Sequence, residues 1–128
     1  LGFDVPTKRL TERIAAFTID ESTQMLVAVD TETGAVLGVL GIHVIPMLHW
    51  ARDIARVTVI AVREGSQRQG IGRALMEKAE GLAWSRNCER LEVITGDRRT
   101  TAHAFYAALE YKVVAKRFVK YSPSRNAI

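Results

Sequence analysis

The order of apolar and polar positions predicts a β-hairpin in the first half of the chain. Residues 25–30 and 35–45 are rich in β-branched and apolar side chains, and they flank a turn over residues 31–34. Gly34 can take the positive φ that such a turn needs, and Pro46 should end the second strand because it cannot donate a ladder hydrogen bond. Ile54–Val62 is apolar almost throughout, which is typical of a central strand covered on both faces.

Helical spacing of apolar residues predicts three helices around this sheet. Leu10, Ile14 and Phe17 share one face of a helix over residues 8–18, with Thr7 as its N-cap. The helix predicted over residues 70–86 has a buried stripe formed by Ile71, Leu75, Ala79 and Leu82. Its polar side is formed by Glu77, Lys78 and Glu80. The helix over residues 100–109 has an inner face of Ala102, Phe105, Tyr106 and Leu109.

Strands over residues 91–95 and 113–121, with a loop over residues 96–99, complete the predicted elements. A hairpin followed by alternating helices and strands predicts an α/β (α+β) fold with a mixed sheet. Neither a repeat nor a Pro/Gly/Ser-rich linker divides the chain, so we expect a single domain over residues 1–128.

Composition excludes several classes of protein. The 128 residues are 48% hydrophobic and 25% charged, as in ordinary globular proteins, and no apolar run approaches the roughly 20 residues that cross a bilayer. No secretory leader pattern is visible, and the single cysteine, Cys88, excludes an internal disulfide, so we expect a cytoplasmic protein. The net charge is +4, but the basic residues are scattered among acidic ones, which argues against a nucleic-acid partner.

The turn between the third strand and the following helix carries the candidate chemistry. A helix N-terminus offers unpaired backbone N–H groups and partial positive charge, so it can hold a phosphate. Gly70 and Gly72 let the backbone approach such a ligand closely. Arg68 and Arg73 add positive charge, and Gln67 and Gln69 can donate hydrogen bonds. The turn therefore has what is needed to bind a pyrophosphate.

Two nucleotide-binding fingerprints fail at this turn. A dinucleotide-binding motif needs Gly or Ala where Leu75 stands, and a Walker A motif needs Lys and Ser or Thr where Ile71 and Gly72 stand. From the residues alone, a glycine-bearing turn without a ligand remains the alternative.

Two segments together resemble the GNAT acyltransferase superfamily. Gln67-Arg68-Gln69-Gly70-Ile71-Gly72 resembles its [Gln/Arg]-x-x-Gly-x-[Gly/Ala] signature, and residues 102–111 resemble its Ala-x-x-Phe-Tyr-x-x-x-Gly-Phe segment. The resemblance covers essentially the whole chain and implies that the family's first strand would precede Leu1. It also implies a mostly antiparallel sheet, flanked by helices, that splays after its central strand.

The resemblance implies acetyl-coenzyme A as the cofactor. Backbone groups around Ile60, Ala61 and Val62 would bond the pantetheine amides. The pyrophosphate would lie on the backbone N–H groups of Gln67, Arg68, Gln69, Gly70, Ile71, Gly72 and Arg73. Tyr106 matches the family's tyrosine near the thioester sulfur, where it would protonate the departing thiolate. The resemblance also implies a homodimer.

The general base is not apparent, because residues 56–61 lack the carboxylate that many relatives carry on this strand. The alternatives are His43, His49 and Asp53, or a water chain ending at Thr58; histidine has the appropriate unperturbed pKa. Glu110 stands where the family usually has glycine, so the backbone there is expected to differ if the position needs positive φ.

Three functions remain after this reading of the chain. The favoured one is transfer of acetyl from acetyl-CoA to the amine of a small molecule, without a covalent enzyme intermediate. Residues 97–103 and 117–120 are similar to the aminoglycoside 6′-type branch, but no acidic cluster to receive a polycation is evident; a polyamine or a protein amino group is the alternative acceptor. The second function is a non-catalytic acyl-CoA-binding module, and the third is nucleic-acid binding. Cys88 is expected to be structural, and no metal site is expected because the histidines and the cysteine lack zinc-type spacing.

Overall fold

The computed structural model describes residues 12, 14–16, 18–94 and 100–124. Its strands are β1 (Thr23–Val29), β2 (Val36–Ile45), β3 (Ile54–Val62) and β4 (Leu91–Val93), which form one four-stranded sheet in the order β1-β2-β3-β4. The first two pairings are antiparallel and the third is parallel. The sheet is therefore mixed and mostly antiparallel, which confirms the predicted fold class.

The hairpin between β1 and β2 is closed by Asp30. Its carboxylate accepts hydrogen bonds from the N–H groups of Glu32 and Thr33 at 2.8 and 3.3 Å, and its carbonyl accepts one from Gly34 at 2.7 Å. Gly34 has a φ of 75°, as predicted, and β2 ends directly before Pro46. Short polar residues that bond their own backbone favour such turns over continued strand.

Helix α1 (Ile71–Ser85) lies on one face of the sheet against β1, β2 and β3. The prediction of a helix over residues 70–86 is confirmed, because Gly70 is its N-cap and Arg86 its C-cap. Its buried residues are Leu75, Met76, Ala79 and Ala83. The periodicity found Leu75 and Ala79 but missed Met76 and Ala83, whereas Ile71 and Leu82 are half-buried.

Gly38 allows α1 to approach β2 closely. A Cβ atom at this position would lie 3.0 Å from Ile71 Cγ2, 3.1 Å from Leu75 Cδ1 and 3.1 Å from the Ala61 carbonyl oxygen. Contacts this short are tighter than nearly all real Cβ contacts, so a side chain here would require Ile71, Leu75 or the Ala61 carbonyl to shift by a few tenths of an ångström. The position of the α1 N-terminus therefore depends on this glycine.

Among the described residues, β3 has no strand partner on its β4 side after Val57. The residues of β3 that pair with β4 are Ala55, Arg56 and Val57. On the other side of β3, Val57 pairs with Ile42 and Val59 pairs with Gly41, so Thr58 has no partner in β2. Thr58 is thus the extra residue of a β-bulge, a feature that bends a strand and re-aims its groups. The strand matches the expectation of burial on both faces only in part. Its buried residues are Ile54, Ala55, Val57 and Ala61, whereas Thr58 is exposed.

The chain divides into two compact units, Leu1–Ile94 and Thr95–Ile128, and a single domain stays a prediction. The second unit contains α2 (Thr100–Ala108), whose predicted inner face is half-buried at Ala102, Phe105, Tyr106 and Leu109. The Tyr111 N–H bonds the Tyr106 carbonyl at 3.0 Å, and Glu110 has a φ of 71°. The expectation that the backbone would differ at Glu110 is therefore wrong, because this C-terminal turn needs a left-handed residue even without glycine.

The strand predicted over residues 113–121 is also wrong: residues 111–122 have no regular secondary structure. Val113 is 93% exposed and Phe118 is 97% exposed. The β-branched and aromatic residues of this segment suit a pleated surface, but a strand forms only where another strand offers its backbone groups. No strand in the described part of the chain pairs with this segment.

Helical residues precede the sheet at positions 12, 14–16, 18 and 19. Ile14 is 38% exposed, so its predicted burial is wrong. The predicted cap Thr7, the apolar positions Leu10 and Phe17, and the loop over residues 96–99 lie outside the described residues. None of the helices that the structure describes is long and apolar enough to cross a membrane.

Candidate active site

The backbone between β3 and α1 forms an anion-binding shape. Gly65, Arg68 and Gly70 have φ values of 88°, 66° and 78°, all in the left-handed region. Alternation between left-handed and ordinary residues turns successive N–H groups toward one concave side, which is the geometry of anion-binding nests. Arg68 adopts this conformation without the freedom of glycine, so the turn holds some backbone strain.

The N–H groups of this turn have no acceptor within the described residues. The backbone bonds nearest to it run from Ser66 to the Arg63 carbonyl and from Ala74 to the Gly70 carbonyl. Gly70 provides no side-chain cap, and the first turn of α1 contains no acidic residue. Unpaired N–H groups and the helix dipole together favour an anion at residues 67–73. This is the position predicted for the pyrophosphate.

Side chains around the turn leave it open. Gln67, Arg68, Gln69 and Gly70 are exposed, and Ile71 and Gly72 are half-buried. Arg73 Nε lies 3.1 Å from Glu77 Oε1, so its charge is partly compensated on the helix surface. Arg68 is the more available cation, because no ion pair of Arg68 is formed with the residues that the structure describes.

The bulge at Thr58 decides which backbone groups of β3 face the open edge. The Ala55 N–H bonds Arg90 on the β4 side, whereas the Arg63 N–H bonds the Leu37 carbonyl on the β2 side. In a regular strand, the N–H groups of Ala55 and Arg63 would point to the same neighbouring strand. The bulge has therefore reversed the direction of the N–H groups that follow it. The N–H and C=O groups of Ile60 and Val62 therefore lie on the edge of β3 that β4 does not reach, whereas those of Ala61 point to β2. Of the three residues predicted to bind pantetheine, Ile60 and Val62 thus face away from β2, whereas Ala61 pairs with β2.

Two of the candidate base residues lie in contact on the sheet face opposite α1. His43 Nε2 is 2.7 Å from Thr58 Oγ1, a hydrogen bond whose direction depends on the imidazole tautomer. Burial lowers the pKa of His43, Asp20 partly opposes this shift, and Arg56 adds to it. The imidazole is therefore neutral at pH 7 and can accept a proton.

A charged cluster continues this face toward β4. His43, Arg56 and Glu92 are register partners across β2, β3 and β4. Glu92 receives Arg56 Nη2 at 2.6 Å on one carboxylate oxygen and Arg90 Nη2 at 2.6 Å on the other. Burial raises the pKa of Glu92, but hydrogen bonds from both arginines outweigh it and leave the pKa below its usual range.

Aromatic residues extend the cluster to the loop before β3. The guanidinium carbon of Arg90 lies 4.4 Å from the centre of the Trp50 ring, within cation–π distance. The His49 ring is 5.1 Å from the Trp50 ring. The structure thus places His49 against Trp50, and His43 opposite Arg56 in the adjacent strand. Asp53 is exposed and its carbonyl accepts the Glu89 N–H, which does not place it in this cluster.

Tyr106, the predicted general acid, belongs to the second unit. It is half-buried and its ring makes edge contacts with Phe105 and Tyr111 at 5.1 and 6.0 Å. Cys88 is buried, and burial raises the pKa of its thiol, so it is a poor nucleophile, as expected for a structural cysteine. Among the residues that the structure describes, no three or more His, Cys, Asp and Glu side chains come together as a metal site.

Sequence reasoning missed the charged cluster of Arg56, Arg90, Glu92 and Trp50. One signal was available: Arg56 and Glu92 each interrupt a strongly apolar strand. A charge on a covered strand is normally paired, so each implied a partner. The partner's identity required the β3–β4 register, which joins residues 36 positions apart.

Comparisons with known proteins identify the family of the chain. The model of the acetyltransferase (GNAT) family matches residues 2–111. An aminoalkylphosphonate N-acetyltransferase of Salmonella typhimurium is 33% identical over 87 residues, which are 68% of this chain and 56% of that protein. The chain therefore spans little more than half the length of this curated relative.

Solved structures show the same fold at low sequence identity. A transcriptional regulator from Bacillus halodurans has a TM-score of 0.82 at 22% identity, covering 92% of this chain and 77% of that one. A GNAT family acetyltransferase from Staphylococcus aureus has a TM-score of 0.79 at 16% identity, with 95% and 82% covered. An aminoglycoside acetyltransferase from an uncultured soil sample, in complex with sisomicin, has a TM-score of 0.77 at 19% identity, with 94% and 76% covered.

Proposed function

Because the chain belongs to the acetyltransferase (GNAT) family, we propose that it binds acetyl-CoA and transfers the acetyl group to the amine of a small molecule. The observation that carries the proposal is the turn over residues 67–73, whose N–H groups have no described acceptor and which follows directly on the open edge of β3. The curated relative is named for a small amine-bearing phosphonate, which supports a small-molecule acceptor.

The cofactor would extend along β3 from the turn. Its diphosphate would accept hydrogen bonds from the N–H groups of residues 67–73, and its amide-bearing arm would pair with Ile60 and Val62 as an added strand does. Val62 and Thr58 are separated by about 13 Å at roughly 3.3 Å per residue. The reactive end of the cofactor would thereby be directed toward Thr58 and His43.

The reaction needs a neutral amine and a protonated leaving group. His43, neutral at pH 7, would take a proton from the acceptor ammonium directly or through water, with Thr58 orienting the imidazole. The amine nitrogen would then attack the thioester carbonyl, and the C–S bond would break. A proton from Tyr106, assigned to this role by the family resemblance, would neutralise the thiolate, and the second proton that the acetylated nitrogen loses would return to the Tyr106 oxygen. The products are the N-acetylated amine and free coenzyme A.

The proposal also includes two properties of the whole protein. A lone buried cysteine suits the reducing conditions of the cytoplasm, and the family resemblance implies a homodimer. Sedimentation at micromolar protein concentration checks the second, with a molecular mass of one chain as the contradicting result.

A non-catalytic acyl-CoA-binding module is the second candidate, favoured by the absence of a carboxylate over residues 56–61. Both candidates predict coenzyme A binding, but only the first predicts consumption of the thioester when amines are supplied. Release of free thiol with a panel of small amines therefore separates them. Tight binding without thiol release on any amine would favour the module.

The cofactor site is tested with two glycines of similar backbone geometry. Gly70 and Gly34 have φ values of 78° and 75°, and a Cβ atom at either would meet no atom within 4 Å. Gly70→Val should weaken coenzyme A binding at least tenfold, or about 1.4 kcal/mol, because it disturbs the amide cradle. Gly34→Val carries the same backbone strain in the hairpin and should leave the affinity unchanged. Calorimetric titration measures both, and equal affinities for the two variants would remove the turn from the proposal.

A further inference from the structure

The charged cluster formed by Arg56, Arg90, Glu92 and Trp50 has a geometry that the proposed reaction does not use. Glu92 is engaged on both oxygens: Arg56 Nε and Nη2 bond one oxygen at 3.0 and 2.6 Å, and Arg90 Nε bonds the other at 2.9 Å. The carboxylate therefore fixes two guanidinium groups at one place on the sheet. Two positive charges against one negative charge leave the cluster with a net positive charge.

Each guanidinium keeps donors that Glu92 does not use. A guanidinium has five N–H donors in a planar fork, and Glu92 engages the edge that carries Nε and Nη2. The Nη1 groups of Arg56 and Arg90 have no acceptor among the described residues. Such an outer edge is suited to two-pronged contact with a carboxylate, phosphate or phosphonate. The Trp50 ring beneath Arg90 restrains one of the two forks.

The cluster is open to solvent and lies beside the candidate base. The side chains of Arg56 and Arg90 are 35% and 43% exposed, so an anion can reach them. His43 and Arg56 face each other in adjacent strands, and such strands lie about 4.8 Å apart. A small molecule can therefore contact both the imidazole and the arginines.

The charges on this face are also separated. Asp20 acts electrostatically on His43, and its carboxylate accepts hydrogen bonds from the N–H and Oγ of Ser22. Negative charge thus lies near the imidazole, and positive charge lies toward β4. An acceptor with a cationic amine at one end and an anion at the other matches this arrangement.

We propose that the acceptor carries an anionic group, a carboxylate or a phosphoryl or phosphonyl oxyanion, which is bound by the free edges of Arg56 and Arg90 while its amine lies at His43. The inference rests on the proposed function for the amine end. The part of the inference that concerns the anionic group depends only on the arrangement of Arg56 and Arg90. A polycationic acceptor is disfavoured by the same charges.

Three acceptors with the same two-carbon amine arm test the proposal: 2-aminoethylphosphonate, β-alanine and ethanolamine. Their tails are respectively doubly charged, singly charged and neutral. We expect kcat/KM for the anionic acceptors to exceed that for ethanolamine at least tenfold. Arg90→Gln should remove most of this preference, Arg90→Lys should keep part of it because the charge remains while the fork is lost, and Arg56→Gln provides a second variant.

Arg52→Gln is the matched control. Arg52 forms a similar ion pair with Glu89, and it is as exposed as Arg90. This variant should keep the preference for anionic acceptors, and all four variants should bind coenzyme A as the parent does. An equal kcat/KM for ethanolamine and 2-aminoethylphosphonate, or a preference that survives both Arg90→Gln and Arg56→Gln, overturns the proposal.

Calorimetric titration of 2-aminoethylphosphonate separates failure of this inference from failure of the proposed function. If no thiol is released with any acceptor, saturable binding that Arg90→Gln abolishes and Arg52→Gln retains supports the anion site by itself. No binding to the parent protein in that case counts against it. Absence of coenzyme A binding would refute the proposed function but not the anion site. The titration with 2-aminoethylphosphonate then tests the anion site by itself.

Discussion

One added methyl group should destabilise the protein at Gly38 and stabilise it at Gly81. At Gly38 the new Cβ would lie 3.0 to 3.1 Å from Ile71, Leu75 and the Ala61 carbonyl. Overpacking of this kind costs about 1–3 kcal/mol. Gly81 is exposed in the middle of α1, with no atom within 4 Å of its Cβ position. Alanine there should stabilise the helix by about 0.5–1 kcal/mol.

These free energies convert to measurable shifts of the melting temperature. For a chain of this size, about 3–4 °C per kcal/mol, Gly38→Ala should lower the melting temperature by roughly 3–12 °C and Gly81→Ala should raise it by roughly 2–4 °C. Gly38→Ala should also weaken coenzyme A binding, because Ile71 begins the helix whose N-terminus is proposed to bind the diphosphate, whereas Gly81→Ala should not. Differential scanning calorimetry and titration with coenzyme A measure the two effects.

The paired design makes the result decisive. Both variants add the same atoms, so a general effect of alanine for glycine cancels in the comparison. A Gly38→Ala protein as stable as the parent would show that α1 does not lie against β2 as closely as 3 Å contacts require. Loss of stability with unchanged coenzyme A affinity would instead separate the helix position from the cofactor site.

Three further results are expected. Glu110→Gly should raise stability by about 0.5–1 kcal/mol because the left-handed backbone at φ 71° disfavours a residue with a side chain; Glu110→Ala keeps that cost and should gain nothing in thermal denaturation. Glu92 has a lowered pKa, so its contribution to stability is complete above the pKa of the unfolded chain and is lost as pH falls; Glu92→Gln should flatten that acid limb in denaturant titrations between pH 7 and 3, and an unchanged limb would contradict this. Tyr106→Phe should lower kcat more than coenzyme A affinity, and a fully active variant would refute its role as general acid.

The long elements could be predicted because their patterns are local. Strand β3 was predicted with its observed bounds, and α1 differed only by its two capping residues, since a mostly apolar nine-residue segment and a regular helical stripe each indicate one structure. Residues 113–121 failed for the opposite reason. Their β-branched and aromatic residues favour a strand, but pairing depends on another part of the chain, which no local pattern reports.

In the candidate site, too, local features could be predicted from the sequence and contacts between distant residues could not. The turn over residues 67–73 was predicted because a strand, glycines and a helix succeed one another in sequence. His43 and Thr58 were each named as candidates, but their contact was not predicted. The charged cluster needed the register of β3 with β4, where Arg56 meets Glu92. Side chains that meet across a sheet are set by register, and register is set by the whole sheet.

A single residue, Thr58, connects the two halves of the site. Were β3 regular, the groups of Val59 and Ala61 would continue toward β4 as those of Ala55 and Val57 do, and Ile60 and Val62 would bond β2. The bulge reverses this order at the point where β4 pairing ends, so Ile60 and Val62 face the open edge. It also leaves the Thr58 hydroxyl against His43 Nε2. The same local irregularity therefore presents backbone to the proposed cofactor and holds the proposed base where that cofactor would end.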